Sequence, residues 1–190
     1  MTSIIFEGTV VSEPTFENES HGERFYEVFV TSERPSGNAD TVRMIVPEIY
    51  VENFRPLEDV RISGEVRTRN EEGHLIIYVF VKSIHELEGK NDERLTINGF
   101  ICKEPTYRET PLGRQISDVI LASNRANSEK SDYIPCICWG RNAKKVSAYP
   151  VGTELKVEGR LQSRRYQKRI GKALLDMTAY EVSVSEVQKI

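Results

Sequence analysis

Tryptophan occurs once in the 190 residues, and histidine and cysteine three times each. His21, His74 and His85 all lie in the first half and Cys102, Cys136 and Cys138 in the second, so no metal-ligand spacing arises. The sequence has no phosphate-binding glycine loop and no nucleophile elbow. No catalytic site, no metal and no cofactor are therefore expected. Three cysteines are an odd number, and Cys136 and Cys138 stand too close along a strand to bridge well. A reducing, cytoplasmic setting fits them best, and the pair reads as two small buried side chains. Met1–Phe6 has neither a basic flank nor a small-residue cleavage site, so no secretory signal is expected. No apolar run approaches the ~20 residues of a membrane-spanning helix, which removes the membrane as an expected partner.

What is present is unevenly spread. The net charge of −3 divides into −8 over residues 1–90 and +5 over residues 91–190. Halves of opposite sign should meet different partners, and the basic half suits a polyanion.

The two halves are also related. Gly8, Glu13-Pro14-Thr15 and Phe16 recur as Gly99, Glu104-Pro105-Thr106 and Tyr107 at an offset of 91. Gly22, Val28, Ser32 and Arg34 recur at the same offset as Gly113, Val119, Ser123 and Arg125. After a slip of four, Val60, Ile62, Gly64 and Val66 fall on Leu155, Val157, Gly159 and Leu161. This ordered series is an internal repeat. It predicts two domains, 1–88 and 92–190, across a polar linker at Glu88–Glu93.

Each repeat reads as strands. In the second, Leu95–Lys103 stops at Glu104-Pro105, because proline cannot donate to a ladder. Thr110-Pro111-Leu112-Gly113 is a turn between two strands, and Ile116–Ser123 is the next strand. A polar loop follows over Asn124–Asp132, then a strand over Tyr133–Trp139. Gly140–Tyr149 suits a short helix with Ala143 and Val146 on one face. Leu155–Leu161 alternates apolar and polar, a basic loop follows, and Met177–Val184 closes the unit. Five strands with a short helix after the third is the order of an OB-fold Greek-key barrel. The expected fold is thus all-β, with two tandem OB barrels.

Seven cations (Lys156, Arg160, Arg164, Arg165, Lys168, Arg169, Lys172) crowd the segment before the last strand, against one acid, Glu158. Tyr166 sits among them. Period two puts Tyr133 and Trp139 on one face of their strand, and Cys136 and Cys138 on the other. With the short cysteines filling the barrel, two rings face outward near the basic segment. Phosphates need cations along a groove, and unpaired bases need flat rings to stack on. A solvated charged hairpin and a plain core tryptophan are the bland alternatives.

Several stretches of the second repeat resemble the bacterial single-stranded-DNA-binding protein family, including primosomal replication protein N. They are Asn98-Gly99 through Glu104-Pro105, Tyr133 through Trp139-Gly140-Arg141 with Ala143, and Gly152 through Gly159-Arg160-Leu161 with Arg164 and Tyr166. The resemblance implies stacking roles for Tyr133, Trp139 and Tyr166; beside them the charge reading makes Arg141, Arg160, Arg164, Arg165, Lys168, Arg169 and Lys172 the expected phosphate contacts. It implies single-stranded DNA as partner, in replication, repair or recombination, without catalysis. The family's acidic recruiting tail has no counterpart in Ser185–Ile190, which leans toward the primosomal branch or an accessory paralogue. An RNA- or tRNA-binding OB module and a primosome assembly factor that contacts replication proteins are the alternatives.

Carried through the repeat, Tyr133, Trp139 and Tyr166 fall on Val42, Glu48 and Glu71. The first domain is thus expected to have lost its stacking positions and to serve association. Leu75–Val81 is apolar on both faces, which predicts a partner surface and hence a homodimer, whose four barrels would match the arrangement that the family resemblance implies.

Overall fold

The computed structural model describes residues 1–34, 36–89, 93–126 and 128–190, with the backbone alone at Ile170. The chain forms two compact units, Thr2–Thr96 and Ile97–Ile190. The division falls inside a strand, later than the polar linker, whose Lys90, Asn91 and Asp92 lie outside the described residues.

The first unit contains β1 (Thr2–Val10), β2 (Thr15–Ser20), β3 (Glu23–Glu33), β4 (Ala39–Pro47), a 3-10 turn over Glu48–Asn53, β5 (Asp59–Glu71) and β6 (His74–His85). Its strands pair in the order β2-β3-β4-β6-β5-β1, and β1 also reaches back to β3, which closes the barrel. The second unit contains β7 (Glu93–Ile101), β8 (Thr106–Glu109), β9 (Gln115–Asn124), β10 (Ser131–Trp139), α1 (Gly140–Ser147), β11 (Glu154–Ile170) and β12 (Ala173–Lys189). Its order is β7-β11-β12-β10-β9-β8, closed by β7 against β9. In both units one pair is parallel, β4 with β6 and β10 with β12. These are two OB barrels. Each has its short helical segment after the third long strand, α-helical in the second unit and 3-10 in the first.

Three local devices recur at equivalent positions. Gly8 and Gly99 lie so close to a neighbouring strand that a Cβ would stand 2.5 Å from the Thr31 carbonyl oxygen and 2.8 Å from that of Ala122. Gly64 and Gly159 each follow a register shift in the closing hairpin, where bulges re-aim a strand at a barrel corner. Arg34 and Asp40 form a mostly buried ion pair across the loop after β3, and Arg125 and Asp132 do the same after β9.

The ion pairs also expose an error in the repeat alignment. Arg34 and Asp40 are six residues apart, whereas Arg125 and Asp132 are seven apart. The second loop is one residue longer, and the offset beyond it becomes 92. Asp40 opposes Ser32 just as Asp132 opposes Ser123. Tyr133 therefore matches Thr41 rather than Val42, and Trp139 matches Pro47 rather than Glu48. Buried Val42 is the counterpart of buried Ile134. A slip of one residue exchanges the two faces of a strand, so the uncorrected alignment set an outward ring against a core valine.

The barrel interiors are apolar, and mostly aliphatic. Ile4, Phe6, Val28, Met44, Ile62 and Val79 fill the first, and Ile97, Leu121, Ile134, Leu155, Leu161 and Val182 the second. Ala143 and Val146 are fully buried beneath α1. The Asn142 side-chain amide donates to the Ser185 carbonyl at 3.0 Å, and Lys145 donates to that of Val187 at 2.8 Å, which ties the helix to the end of β12. Among the described residues no helix is long and apolar enough to cross a membrane.

β6 does carry apolar residues on both faces, but its outer row is filled within the first unit. Tyr78 packs with Phe25 and Ile45, all buried, and Phe80 lies against them. The Arg67 guanidinium sits 3.9 Å above the Phe80 ring and Arg69 is 5.3 Å from that of Tyr78. The rule that a doubly apolar strand has two covers holds here; the second cover is supplied by the unit's own side chains.

Candidate nucleic-acid interface

In the second unit the alternation along β10 is as the sequence suggests. Cys136 and Cys138 face the interior and pair with Val182 and Val184 of β12. Burial pushes the Cys136 thiol well above its usual range, and raises that of Cys138 to about 12 with help from the negative charge of Asp118. On the opposite face Tyr133 is 53% exposed and Trp139 38% exposed, although Ile137 between them is buried. Trp139 is not core. It borders an open cleft with Gly113, Arg114, Gln115 and Gly140.

The basic segment is a strand, not a loop. β11 and β12 stay paired from Leu155–Lys189 out to Ile170–Ala173, and only Gly171-Lys172 turns. Continuous cross-strand bonding satisfies the backbone of this ribbon without an apolar row. A consequence is that its cations divide between two faces. Counting outward from the buried pair Leu161–Val182, Arg160, Arg164, Tyr166 and Lys168 share the side that carries Tyr133 and Trp139 on β10. Arg165 and Arg169 occupy the other side, and Lys172 the turn. Tyr166 is 36% exposed, with the Arg164 guanidinium 5.7 Å from its ring centre. Arg164 also approaches Glu181 at 3.8 Å. Arg141 is exposed in the first turn of α1.

By strand phase Tyr133, Trp139, Tyr166, Arg160, Arg164 and Lys168 thus fall on one side of the sheet, and Arg165 and Arg169 on the other, with Lys172 in the turn. Two residues of this side were missed. Arg114, at the cleft beside Trp139, follows the β8–β9 turn, where a lone cation in a turn carries no periodic signal. Phe100 is 40% exposed, and here a signal existed. It lies between Gly99 and Ile101 on the polar phase of a strand whose other phase, Leu95, Ile97, Gly99 and Ile101, is buried.

The corresponding face of the first unit is built differently. Arg43 pairs with Glu27 at 2.9 Å and Glu71 at 3.0 Å, Arg67 with Glu65 at 2.8 Å, and Arg69 with Glu17 at 2.6 Å. Burial disfavours the Arg69 cation, but bonding to Glu17 and Glu71 outweighs this and raises its pKa. The aromatic rings of this face lie under arginines whose charge is already matched.

A comparison with known proteins settles the ancestry. The single-strand binding protein family model matches residues 92–190. The chain belongs to that family. Single-stranded DNA-binding protein 1 of Staphylococcus aureus (strain COL) is 35% identical over 85 residues, covering 42% of this chain and 51% of that protein. Single-stranded DNA-binding protein A of Bacillus subtilis (strain 168) is 34% identical over 101 residues, covering 50% and 54% respectively. The chain spans about half the length of the curated relatives it matches. The crystal structure of wild-type single-stranded DNA binding protein from Thermus aquaticus is similar in fold, with a TM-score of 0.77 at 18% identity, over 100% of this chain and 93% of that one. That likeness takes in both barrels, whereas the family model reaches only the second.

Proposed function

We propose that the second unit binds single-stranded DNA without sequence preference, and that the first unit is a degenerate barrel kept for structure and association. The observation that carries this is the outward display of Tyr133, Trp139 and Tyr166 on the side that holds Arg160, Arg164 and Lys168. Rings stack on any base, and cations track the phosphates, so the arrangement suits unpaired strands of any sequence. Family membership and the relatives' names support DNA as the nucleic acid. The reading is one of binding rather than catalysis, in the cytoplasm and in the service of replication, repair or recombination. Competition for a labelled oligo(dT) tests it: unlabelled single-stranded DNA should displace the label at concentrations where RNA and duplex of equal length do not. Displacement by RNA at equal concentration would favour an RNA-binding module. The four-barrel assembly implied by the family resemblance takes two of these chains. That is the remaining support for a homodimer, since the outer face of β6 is covered within its own unit; light scattering should give about twice 21.7 kDa.

A further inference from the structure

Phe100 lies outside the set of rings just described, yet the sheet register ties it to them. On β7 it opposes Ala122 of β9, and Ala122 in turn opposes Tyr133 of β10. All three point away from the core. The row across β7, β9 and β10 thus reads Phe100, Ala122, Tyr133, two rings flanking one methyl group.

Two strand spacings, about 10 Å, separate the backbones of Phe100 and Tyr133. Only the Ala122 methyl lies between them in that row. A ring on each side and a shallow apolar floor make a slot open to solvent, of a size for one flat base. We propose that Phe100 is a further base-stacking residue, and that with Tyr133 it walls a nucleobase slot floored by Ala122. This deepens the proposed function and rests on it.

The first unit supplies an internal comparison. Its matching row is Thr9, Thr31 and Thr41, in the same cross-strand register. The Thr31 and Thr41 hydroxyls bond to each other at 2.8 Å, and the Thr9 hydroxyl donates to Asp59 at 2.6 Å. The same three backbone positions hold a closed polar row in one barrel and an open aromatic one in the other. An exposed phenylalanine gains nothing for barrel stability over threonine at such a site, since β-branched residues suit a strand equally well. Its presence in the basic unit alone fits a role in binding.

Titration of the full chain with oligo(dT) tests the slot. Phe100→Ala should weaken binding roughly five- to a hundredfold, the range for loss of one stacking platform. Phe100→Tyr should keep most of the affinity. In a chain carrying Trp139→Phe, the replacement Phe100→Trp places the sole tryptophan in the slot, and its fluorescence should be quenched by oligo(dT). Unchanged affinity in Phe100→Ala, while Trp139→Ala binds more weakly, would overturn the slot and leave the proposed function standing. Failure of the unaltered chain to bind any single strand would instead remove the function itself. Altered mass in light scattering at unchanged DNA affinity would assign Phe100 to a protein contact and also overturn the slot.

Discussion

Cys136 and Cys138 owe their chemistry to the face on which β10 places them. Folding holds both thiols protonated, Cys138 up to about pH 12, whereas an ordinary thiol ionises near 9.0. Between those values the unfolded chain has released protons that the folded chain keeps. Stability therefore falls as pH rises through that window. Accessibility follows the same geometry: Cys102 is exposed and the other two are buried. A thiol reagent at neutral pH should titrate one group in the folded protein and three after denaturation. Reaction of all three in the folded state would put the cysteine face outside and the rings inside. This face was legible in the sequence because the short Cys136 and Cys138 alternate with the larger Ile137 and Trp139. The partner of Tyr133 in the first unit was not legible. The loops after β3 and β9 differ by one residue, and only the paired Arg34–Asp40 and Arg125–Asp132 bridges reveal where the register changes.

At the level of elements, the succession of strands, the β8–β9 turn and the two-turn helix with Ala143 and Val146 on its buried face follow from alternation, proline and glycine. The basic ribbon does not. Residues 164–169 of β11 have no apolar phase to mark a strand and are exposed, and β12 opposite them is exposed or half-buried. Pairing there comes from propagation of the β11–β12 ladder out of the barrel, a cooperative effect that a local pattern does not record. The ladder makes a prediction that a mobile loop would not. With the strand path on the Tyr166 side, Arg164→Ala with Lys168→Ala should flatten the dependence of log K on log salt. Each lost phosphate contact on a single strand is worth about 0.7 in slope. Arg165→Ala with Arg169→Ala, on the opposite side, should change the slope less. Equal effects from the two pairs, measured by oligonucleotide titration between low and high salt, would mean that the ribbon wraps or is wrapped by the strand.

Over the whole molecule, charge and aromatic display vary together. The part that is −8 overall sets Phe80 and Tyr78 under ion-paired arginines, and the part that is +5 leaves Tyr133, Trp139 and Tyr166 open to solvent. The two barrels share glycines, bulges and buried bridges; the divergence lies on the outer faces, where Thr9, Thr41, Pro47 and Glu71 stand in place of rings. An acidic surface repels phosphate over about a Debye length, ~8 Å at physiological salt, so under the proposed function the first unit would leave single strands to the other barrel. Trp139 is the only tryptophan, so its fluorescence reports on the proposed face without any label. Titration of the unaltered chain with oligo(dT) should quench that emission to a saturating plateau, and added salt should reverse the quench. Oligonucleotide binding seen by gel shift with the tryptophan signal unchanged at saturation would contradict the account.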